Sequence, residues 1–217
     1  MSGKRLFVGV RVSTQTANAL AAAAEMLQRR GRDAGVDFKF VAPTSYHVTL
    51  KFLGWTRDEA IPALVDALGA AVTGVAPFRF RTARLGAFAS LEKATVLWAG
   101  LEDAAAINDV AARVEAACEA LGFPREKRAF HAHVTLARLS ETRAVKDVVL
   151  PLSEQMFSES RVDGVILFES ETKPTGSVYR EVSRIAFKQA ENAPKRQTGA
   201  LELGDETDDG WPRGHGQ

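Results

Sequence analysis

Cysteine is almost absent from the chain, because Cys118 is the only one among 217 residues. A single thiol excludes an intrachain disulfide framework and a zinc site built from several thiolates, so we expect a reducing, cytoplasmic setting. Long apolar runs are also missing, and the first residues carry only a short strand-like apolar segment. We therefore expect neither a secretion signal nor a membrane anchor.

An excess of charge of one sign is lacking too, since 28 basic residues balance 27 acidic ones and leave a net charge of +1. Six acidic and three basic residues lie in segment 190–217, which leaves a mild positive excess on residues 1–189. This excess favours an anionic partner but is far weaker than the basic face of a duplex-binding protein. Because segment 190–217 has few large apolar residues, we predict a disordered acidic tail behind a single folded domain, residues 1–189.

The composition itself is that of a globular protein, with 46% hydrophobic and 25% charged residues. Apolar periodicity and turn residues predict its elements. Strands are predicted over 5–12, 37–42, 46–53, 77–84, 94–99, 132–139, 161–169 and 178–187, and helices over 15–30, 57–72 and 103–121. The order strand, helix, connection, strand occurs twice, which predicts a duplicated unit and an α+β fold of two lobes in one domain. The last two strands either pair as a hairpin or join one to each lobe.

The tetrapeptide His-Val-Thr-Leu occurs twice, and its two copies begin at two of the four histidines, His47 and His133. In a strand, residues i and i+2 project from the same face. Each copy therefore presents an imidazole beside a hydroxyl, His47 with Thr49 and His133 with Thr135. If a two-fold axis relates the lobes, the two pairs converge across the cleft.

Paired imidazoles suit phosphodiester cleavage. Imidazole has an ordinary pKa of about 6.5, so near neutrality one histidine can accept a proton while its twin donates one. The hydroxyls of Thr49 and Thr135 can bind the non-bridging phosphate oxygens as negative charge builds on them. We therefore predict His47, His133, Thr49 and Thr135 as catalytic residues that need no metal. The residues alone do not decide which histidine is the acid.

Two cations near the motifs are candidates for substrate binding. Lys51 lies two residues after Thr49, so we expect it on the histidine face, where it either reaches a phosphate or is solvated. Arg138 has the opposite parity from His133 in a regular strand, so its contact with phosphate requires a bend; the alternative is a surface cation. The cluster 125–128 (Arg-Glu-Lys-Arg) either guides an RNA backbone or is a solvated loop.

Two further hypotheses concern metal binding and base stacking. His131, His133 and His47 provide three imidazoles, a set that can hold zinc. A zinc site does not explain why the tetrapeptide is repeated, whereas acid/base catalysis does, so no metal or other cofactor is predicted. The aromatic candidates for stacking on a base are Phe40, Tyr46, Phe88 and Phe130.

The motifs in their contexts, SYHVTLKFLGW and FHAHVTLAR, together with the early strand LFVGV, resemble the two-histidine (2H) phosphoesterase superfamily. The resemblance is to its RNA 2′,3′-cyclic phosphodiesterase branch, also known as 2′-5′ RNA ligases, and covers roughly residues 4–187. Members often have proline before the second histidine, where this chain has Ala132. The resemblance implies a bilobal α+β fold of two pseudo-symmetric lobes, with antiparallel-rich sheets around a central cleft and outer helices, and no obligatory metal or nucleotide cofactor.

The same resemblance implies the reaction and the roles. RNA 2′,3′-cyclic phosphate ends are opened to 2′-phosphates, with His47 as the proton donor to the departing O3′ and His133 as the proton acceptor that activates water. The expected partner is an RNA with such an end, the expected state is a cytoplasmic monomer without membrane contact, and 2′-5′ ligation is a second reaction. The alternatives are a small-molecule cyclic nucleotide phosphodiesterase of the same superfamily and a noncatalytic RNA-end binding module.

Overall fold

A computed structural model describes residues 2–173 and 176–188, so the predicted tail lies outside the described residues. The strands are β1 Gly3–Arg11, β2 Lys39–Phe40, β3 His47–Arg57, β4 Phe78–Phe88, β5 Ala94–Glu102, β6 His133–Arg143, β7 Met156–Val162, β8 Gly164–Lys173 and β9 Gly176–Ala186. The helices are α1 Thr14–Asp33, α2 Ile61–Ala71, α3 Ala105–Ala120 and the short α4 Lys146–Val149. No helix of the described ranges is long and apolar enough to cross a membrane.

These strands form one antiparallel sheet in the order β7-β4-β5-β6-β3-β1-β8-β9, and β2 pairs with β6 beside this path. The central strands β3 and β6 meet through the pair Val48 and Val134. Outward from this pair, β1 matches β5, β8 matches β4 and β9 matches β7, so the sheet has a pseudo-two-fold centre. The predicted α+β fold with two related lobes is confirmed.

Each lobe contains the same strand-helix-strand unit, β1-α1-β3 in the first and β5-α3-β6 in the second. Helix α1 begins after Ser13, whose hydroxyl accepts a hydrogen bond from the backbone N–H of Thr16 and so caps the helix. One apolar stripe of each helix faces the sheet and is buried. The buried residues include Leu20 and Leu27 of α1 and Ile107 and Val114 of α3.

The C-terminal strands differ from the expectation in one respect. Strand β7 was not predicted, because its sequence MFSESRV has no regular apolar alternation, and in the fold only two of its residues are buried. The strand predicted over 161–169 is in fact the end of β7 followed by β8. Strands β8 and β9 pair as a hairpin, while β7 completes the second lobe against β4.

The second helix begins at Ile61 rather than Arg57, with Pro62 in its first turn, a position that proline favours.

A β-bulge follows the first motif. Opposite β1, Thr49 pairs with Gly9 while Lys51 pairs with Val8, which leaves Leu50 as the extra residue. The inserted residue inverts the facing of the residues that follow it, up to a second register shift that leaves Leu53 as another extra residue. Lys51 is therefore buried together with Leu50, and Phe52 is exposed.

The second motif carries a bulge at the same position. Opposite β5, Thr135 pairs with Trp98 while Ala137 pairs with Leu97, which leaves Leu136 extra. Leu136 and Ala137 are both buried and Arg138 is exposed. The bend that Arg138 needs in order to share the histidine face is thus present in the strand.

Candidate active site

The four motif side chains lie on one face at the centre of the sheet. Val48 and Val134 are directly opposite each other, and both are fully buried. Neighbours of a cross-strand pair point to the opposite face from the pair itself. The motif histidines and threonines therefore project together from the other face, where they are partly accessible.

Backbone carbonyls hold both imidazoles in the same tautomer. His47 Nδ1 lies 2.6 Å from the carbonyl oxygen of Ser45, and His133 Nδ1 lies 2.7 Å from that of His131. A carbonyl only accepts, so each Nδ1 carries a hydrogen and donates it. In both rings Nε2 is consequently the nitrogen that can exchange a proton with a substrate. The hydroxyl of Thr49 lies 3.1 Å from His47 Nε2 and can donate to it.

Aromatic rings surround His47. Its ring centroid lies 4.8 Å from that of Phe7, 5.0 Å from that of Tyr179 in an edge-on contact and 5.8 Å from that of Phe168. These rings remove water from the imidazole. Because Phe7, Phe168 and Tyr179 belong to β1, β8 and β9, the whole first lobe contributes to this environment.

A second aromatic group surrounds His133. The Phe88 ring meets it edge-on at 4.9 Å, and Phe88 in turn contacts Trp98 at 5.5 Å. His131 packs on Trp98 at 5.0 Å and on Phe88 at 5.5 Å. The two lobes thus desolvate their histidines by similar means with unrelated residues.

Burial lowers the pKa of both histidines. Desolvation is the main cause for His47 and brings its pKa to about 4, and the basic side chains of Arg11, His133 and Arg138 act in the same direction. Desolvation is also the main cause for His133, whose pKa is lowered further by His131 and Arg138. Both imidazoles are therefore neutral in the free protein at neutral pH. A bound phosphate anion would raise these pKa values and favour protonation of one ring.

The cations around the site are not all those that the sequence suggested. Arg138 acts electrostatically on both histidines; its contact with a substrate stays a prediction. Arg11 was missed, although it is the cross-strand partner of His47. Its guanidinium donates to Glu181 Oε1 at 2.8 Å and to the Thr44 carbonyl at 2.9 Å. The sequence feature that could have identified Arg11 as a site residue is its position at the end of the apolar strand β1.

Lys51 occupies neither of its expected positions. Its residue exposure is 5%, and its ammonium donates to Glu115 Oε1 and to the Pro124 carbonyl, each at 2.6 Å. The bulge at Leu50 removes Lys51 from the regular alternation that would have set it on the histidine face. The prediction of that placement, and the alternative of a solvated side chain, are both wrong. The ammonium is held by acceptors of the protein itself.

A cavity of about 830 Å³ lies beside the two motifs. Its walls are the 49–52 segment of β3, one face of α3 from Asn108 to Glu115, residues 88–89 and 95–96 beside the turn between β4 and β5, His133 and the loop 125–131. The cavity is of the size at which proteins bind small organic ligands.

Two of the four aromatic candidates border this cavity, namely Phe88 and Phe130. Tyr46 is buried at 2% exposure, and Phe40 packs against the core, so the structure does not support stacking of a base on either. Phe52 was missed, although it is 66% exposed and lines the cavity. Phe52 lies five residues after His47, as Arg138 lies five residues after His133. The repeat could therefore have identified Phe52 as a candidate site residue.

The three-imidazole zinc hypothesis has no geometric support. Within residues 2–173 and 176–188, no three His, Cys, Asp or Glu side chains are grouped so that they could hold a metal ion. The rings of His131 and His133 are 6.0 Å apart, and His131 is packed against aromatic rings.

A pseudo-symmetric sheet with one histidine-threonine pair from each lobe at its centre is the arrangement of a two-histidine phosphoesterase. The family model of the 2′-5′ RNA ligase superfamily matches residues 13–174, and the chain belongs to that superfamily.

Curated relatives carry one shared name, RNA 2′,3′-cyclic phosphodiesterase. The chain is 30% identical to that of Archaeoglobus fulgidus over 66% of its own length and 81% of the relative. It is 29% identical to that of Aeropyrum pernix over 70% and 87%. It is 34% identical to that of Geobacillus stearothermophilus over 54% of this chain, where it spans only 38% of the relative's length.

Solved structures agree on the fold. A protein of Thermus thermophilus superposes with a TM-score of 0.71 at 28% identity, covering 87% of this chain and 100% of that one. E. coli LigT in complex with 3′-AMP superposes with a TM-score of 0.65 over the same shares of the two chains. At 22% identity, LigT indicates a common fold only.

Proposed function

We propose that the protein hydrolyses RNA 2′,3′-cyclic phosphate ends to 2′-phosphates, with His47 and His133 as the acid/base pair. The observation that carries this proposal is the matched anchoring of the two imidazoles through Nδ1, which directs both Nε2 atoms to one face beside two hydroxyls, with His47 Nε2 3.1 Å from the Thr49 hydroxyl. The shared name of the curated relatives supports the choice of substrate.

The reaction needs two proton transfers. As the water oxygen forms a bond to phosphorus, His133 Nε2 accepts a proton from that water. The bond between phosphorus and O3′ breaks, and His47 Nε2 donates its proton to O3′. His47 is neutral in the free protein, so it takes up this proton when the phosphate anion binds beside it. The product carries a 2′-phosphate and a 3′-hydroxyl.

The remaining polar groups stabilise the charge that develops on phosphate. The hydroxyls of Thr49 and Thr135 donate to the non-bridging oxygens, and the Arg138 guanidinium adds a positive charge on the same face. None of these steps calls for a Lewis acid, so we propose metal-independent catalysis. All groups come from one chain, which supports a monomer as the active form. A 5′-hydroxyl of a second RNA in place of water would give a 2′-5′ linkage, which is the proposed ligation reaction.

The test is an assay of the purified protein on an RNA that ends in a 2′,3′-cyclic phosphate, with and without EDTA, and with adenosine 2′,3′-cyclic phosphate in parallel. We expect turnover of the RNA to a 2′-phosphate product at a rate that EDTA leaves unchanged within about 2-fold, because acid/base groups do the work. Loss of activity in EDTA with recovery in zinc would contradict metal independence. Turnover of the mononucleotide alone would favour a small-molecule enzyme, and binding of RNA without turnover would favour a noncatalytic module.

A further inference from the structure

The segments that lead into the two motifs are held in different ways. In the first lobe this segment contains β2, and Phe40 pairs with Ala137 of β6. The residue at the matching place in the second lobe, seven positions before the motif histidine, is Glu126. Among the strand pairings of the described residues, none joins loop 124–131 to β3. The pseudo-two-fold symmetry is broken at this point, and the cavity lies there.

A buried ion pair takes the place of the missing strand pairing. The side chains of Lys51 and Glu115 are 4% and 20% exposed, and their charged atoms are 2.6 Å apart. Lys51 also donates to the Pro124 carbonyl, and Glu115 Oε1 also accepts the backbone N–H of Glu126 at 2.8 Å. Strand β3, helix α3 and the start of the loop are thus tied together. Lys51 is at the position in β3 that corresponds to Ala137 in β6. Ala137 holds the first-lobe segment through its backbone pairing with Phe40, whereas Lys51 holds the second-lobe loop through its side chain.

The loop presents positive charge and an aromatic ring to the cavity. Arg125, Arg128 and Phe130 all line it and are exposed, and Arg125 also forms an exposed ion pair with Glu119 at 3.7 Å. The carboxylate of Glu126 accepts the backbone N–H groups of the next two residues, at 3.0 and 3.2 Å, which fixes the turn between the two arginines. In a mononucleotide the only phosphate is the one at the histidines. The loop cations therefore find a phosphate partner only in a longer RNA.

We propose that Lys51 and Glu115 are positioning residues that hold loop 124–131 as a binding wall for the nucleotides preceding the cyclic phosphate. They act on the affinity for RNA through the loop and do not contact the reacting atoms. This inference rests on the proposed function and assigns it to RNA ends rather than to free cyclic nucleotides.

The test removes both charges together, in the double variant Lys51→Met, Glu115→Leu, because removal of one partner alone would leave a buried unpaired charge. The matched control is Asp109→Asn, Arg113→Gln, which removes an exposed ion pair from the same helix. For an RNA of ten nucleotides with a cyclic phosphate end, we expect the double variant to raise KM about 10-fold and to change kcat less than about 2-fold. Both constants for adenosine 2′,3′-cyclic phosphate should stay within about 2-fold of wild type, and the control should resemble wild type on both substrates.

Equal losses on the two substrates would overturn the inference, because they would indicate general damage to the fold; an unchanged KM for the RNA would overturn it as well. Hydrogen exchange gives a second readout, since the amide of Glu126 should exchange faster in the double variant than in the control. If that variant fails to fold by circular dichroism, Lys51→Gln, Glu115→Gln replaces it, because it also removes both charges but keeps polar side chains at both positions, and it should raise KM for the RNA alone. If the wild type hydrolyses neither substrate, the proposed function fails; the inference is then decided by the Kd for an RNA with a 2′-phosphate end, which the double variant should raise about 10-fold.

Discussion

The two motif histidines share one anchor and differ in their neighbours. Each donates its Nδ1 hydrogen to the carbonyl two residues before it, so the neutral rings are equivalent in tautomer. Across the neighbouring strand, however, His47 faces Arg11 while His133 faces Gly100. A Cβ at Gly100 would come within 3.3 Å of the Trp98 ring, so this place in the second lobe has little room for a cation. The arginine beside His47 makes the pair chemically unequal.

Replacing either histidine with alanine should remove one proton transfer and leave the fold intact. We expect His47→Ala and His133→Ala each to lower kcat by about 100-fold or more, which is the usual contribution of a general acid or base. The measurement is steady-state turnover of the RNA substrate, with circular dichroism to verify folding. Near-normal kcat in either folded variant would contradict the pair.

A substrate with sulfur in place of O3′ distinguishes the two roles in the same variants. A thiolate leaves without protonation, so this substrate should restore much more of the activity of His47→Ala than of His133→Ala, which still lacks its base. Stronger rescue of His133→Ala would invert the roles, and equal rescue would contradict the proposed order.

At the scale of elements, the bulges in β3 and β6 decide which residues the motifs present. Without them, alternation puts the residue two positions after each motif threonine on the histidine face. With them, Leu50 and Leu136 are the extra residues, and Phe52 and Arg138 lie on the histidine face instead. One copy of the repeat thus contributes an aromatic ring and the other a guanidinium.

Arg138 should contribute to phosphate binding from this position. We expect Arg138→Met to raise KM about 10-fold, the effect of losing one charge-assisted contact. The positive charge of Arg138 lowers the pKa of both histidines. Its removal should therefore also shift the pH profile of kcat/KM toward higher pH. The control is Arg143→Met, an exposed arginine of the same strand that pairs with Glu141; an equal effect of the two variants would show that only net charge matters.

Local signals in the sequence were sufficient for the repeat, the two strand-helix-strand units and the histidine-threonine pairs, whereas they left open whether the last two strands pair with each other. The bulges could not be predicted, because a register shift is defined only against a partner strand. The ion pair of Lys51 and Glu115 joins residues 64 positions apart, and the bond from Arg11 to Glu181 spans 170 positions. No periodicity links such residues, so the environment of each cation became visible only in the fold.

At the scale of the whole molecule, aromatic side chains of both lobes surround the two histidines and keep their imidazoles neutral. The Phe7, Phe168 and Tyr179 rings come from three strands of the first lobe, and Phe88 and Trp98 come from two strands of the second. Folding therefore excludes water from two groups that are freely hydrated in the unfolded chain. The stability of the entire domain is thereby linked to the protonation of its active site.

This linkage predicts a loss of stability in mild acid. Burial lowers the pKa of His47 from 6.5 to about 4 in the folded protein, so as the pH falls from about 6.5 toward 4 the unfolded chain binds a proton that the folded state does not. The folded state then loses stability, by on the order of 1–2 kcal/mol between pH 7 and pH 5 for this group. Denaturant unfolding at both pH values should show that loss in the wild type and a smaller one in His47→Gln. His133→Gln should likewise reduce the loss of stability between pH 7 and pH 5, because burial lowers the pKa of His133 as well. If the pH dependence of stability were unchanged in both variants, the two imidazoles would be hydrated and would titrate normally in the folded protein. Phosphate binding would then not be needed to protonate His47.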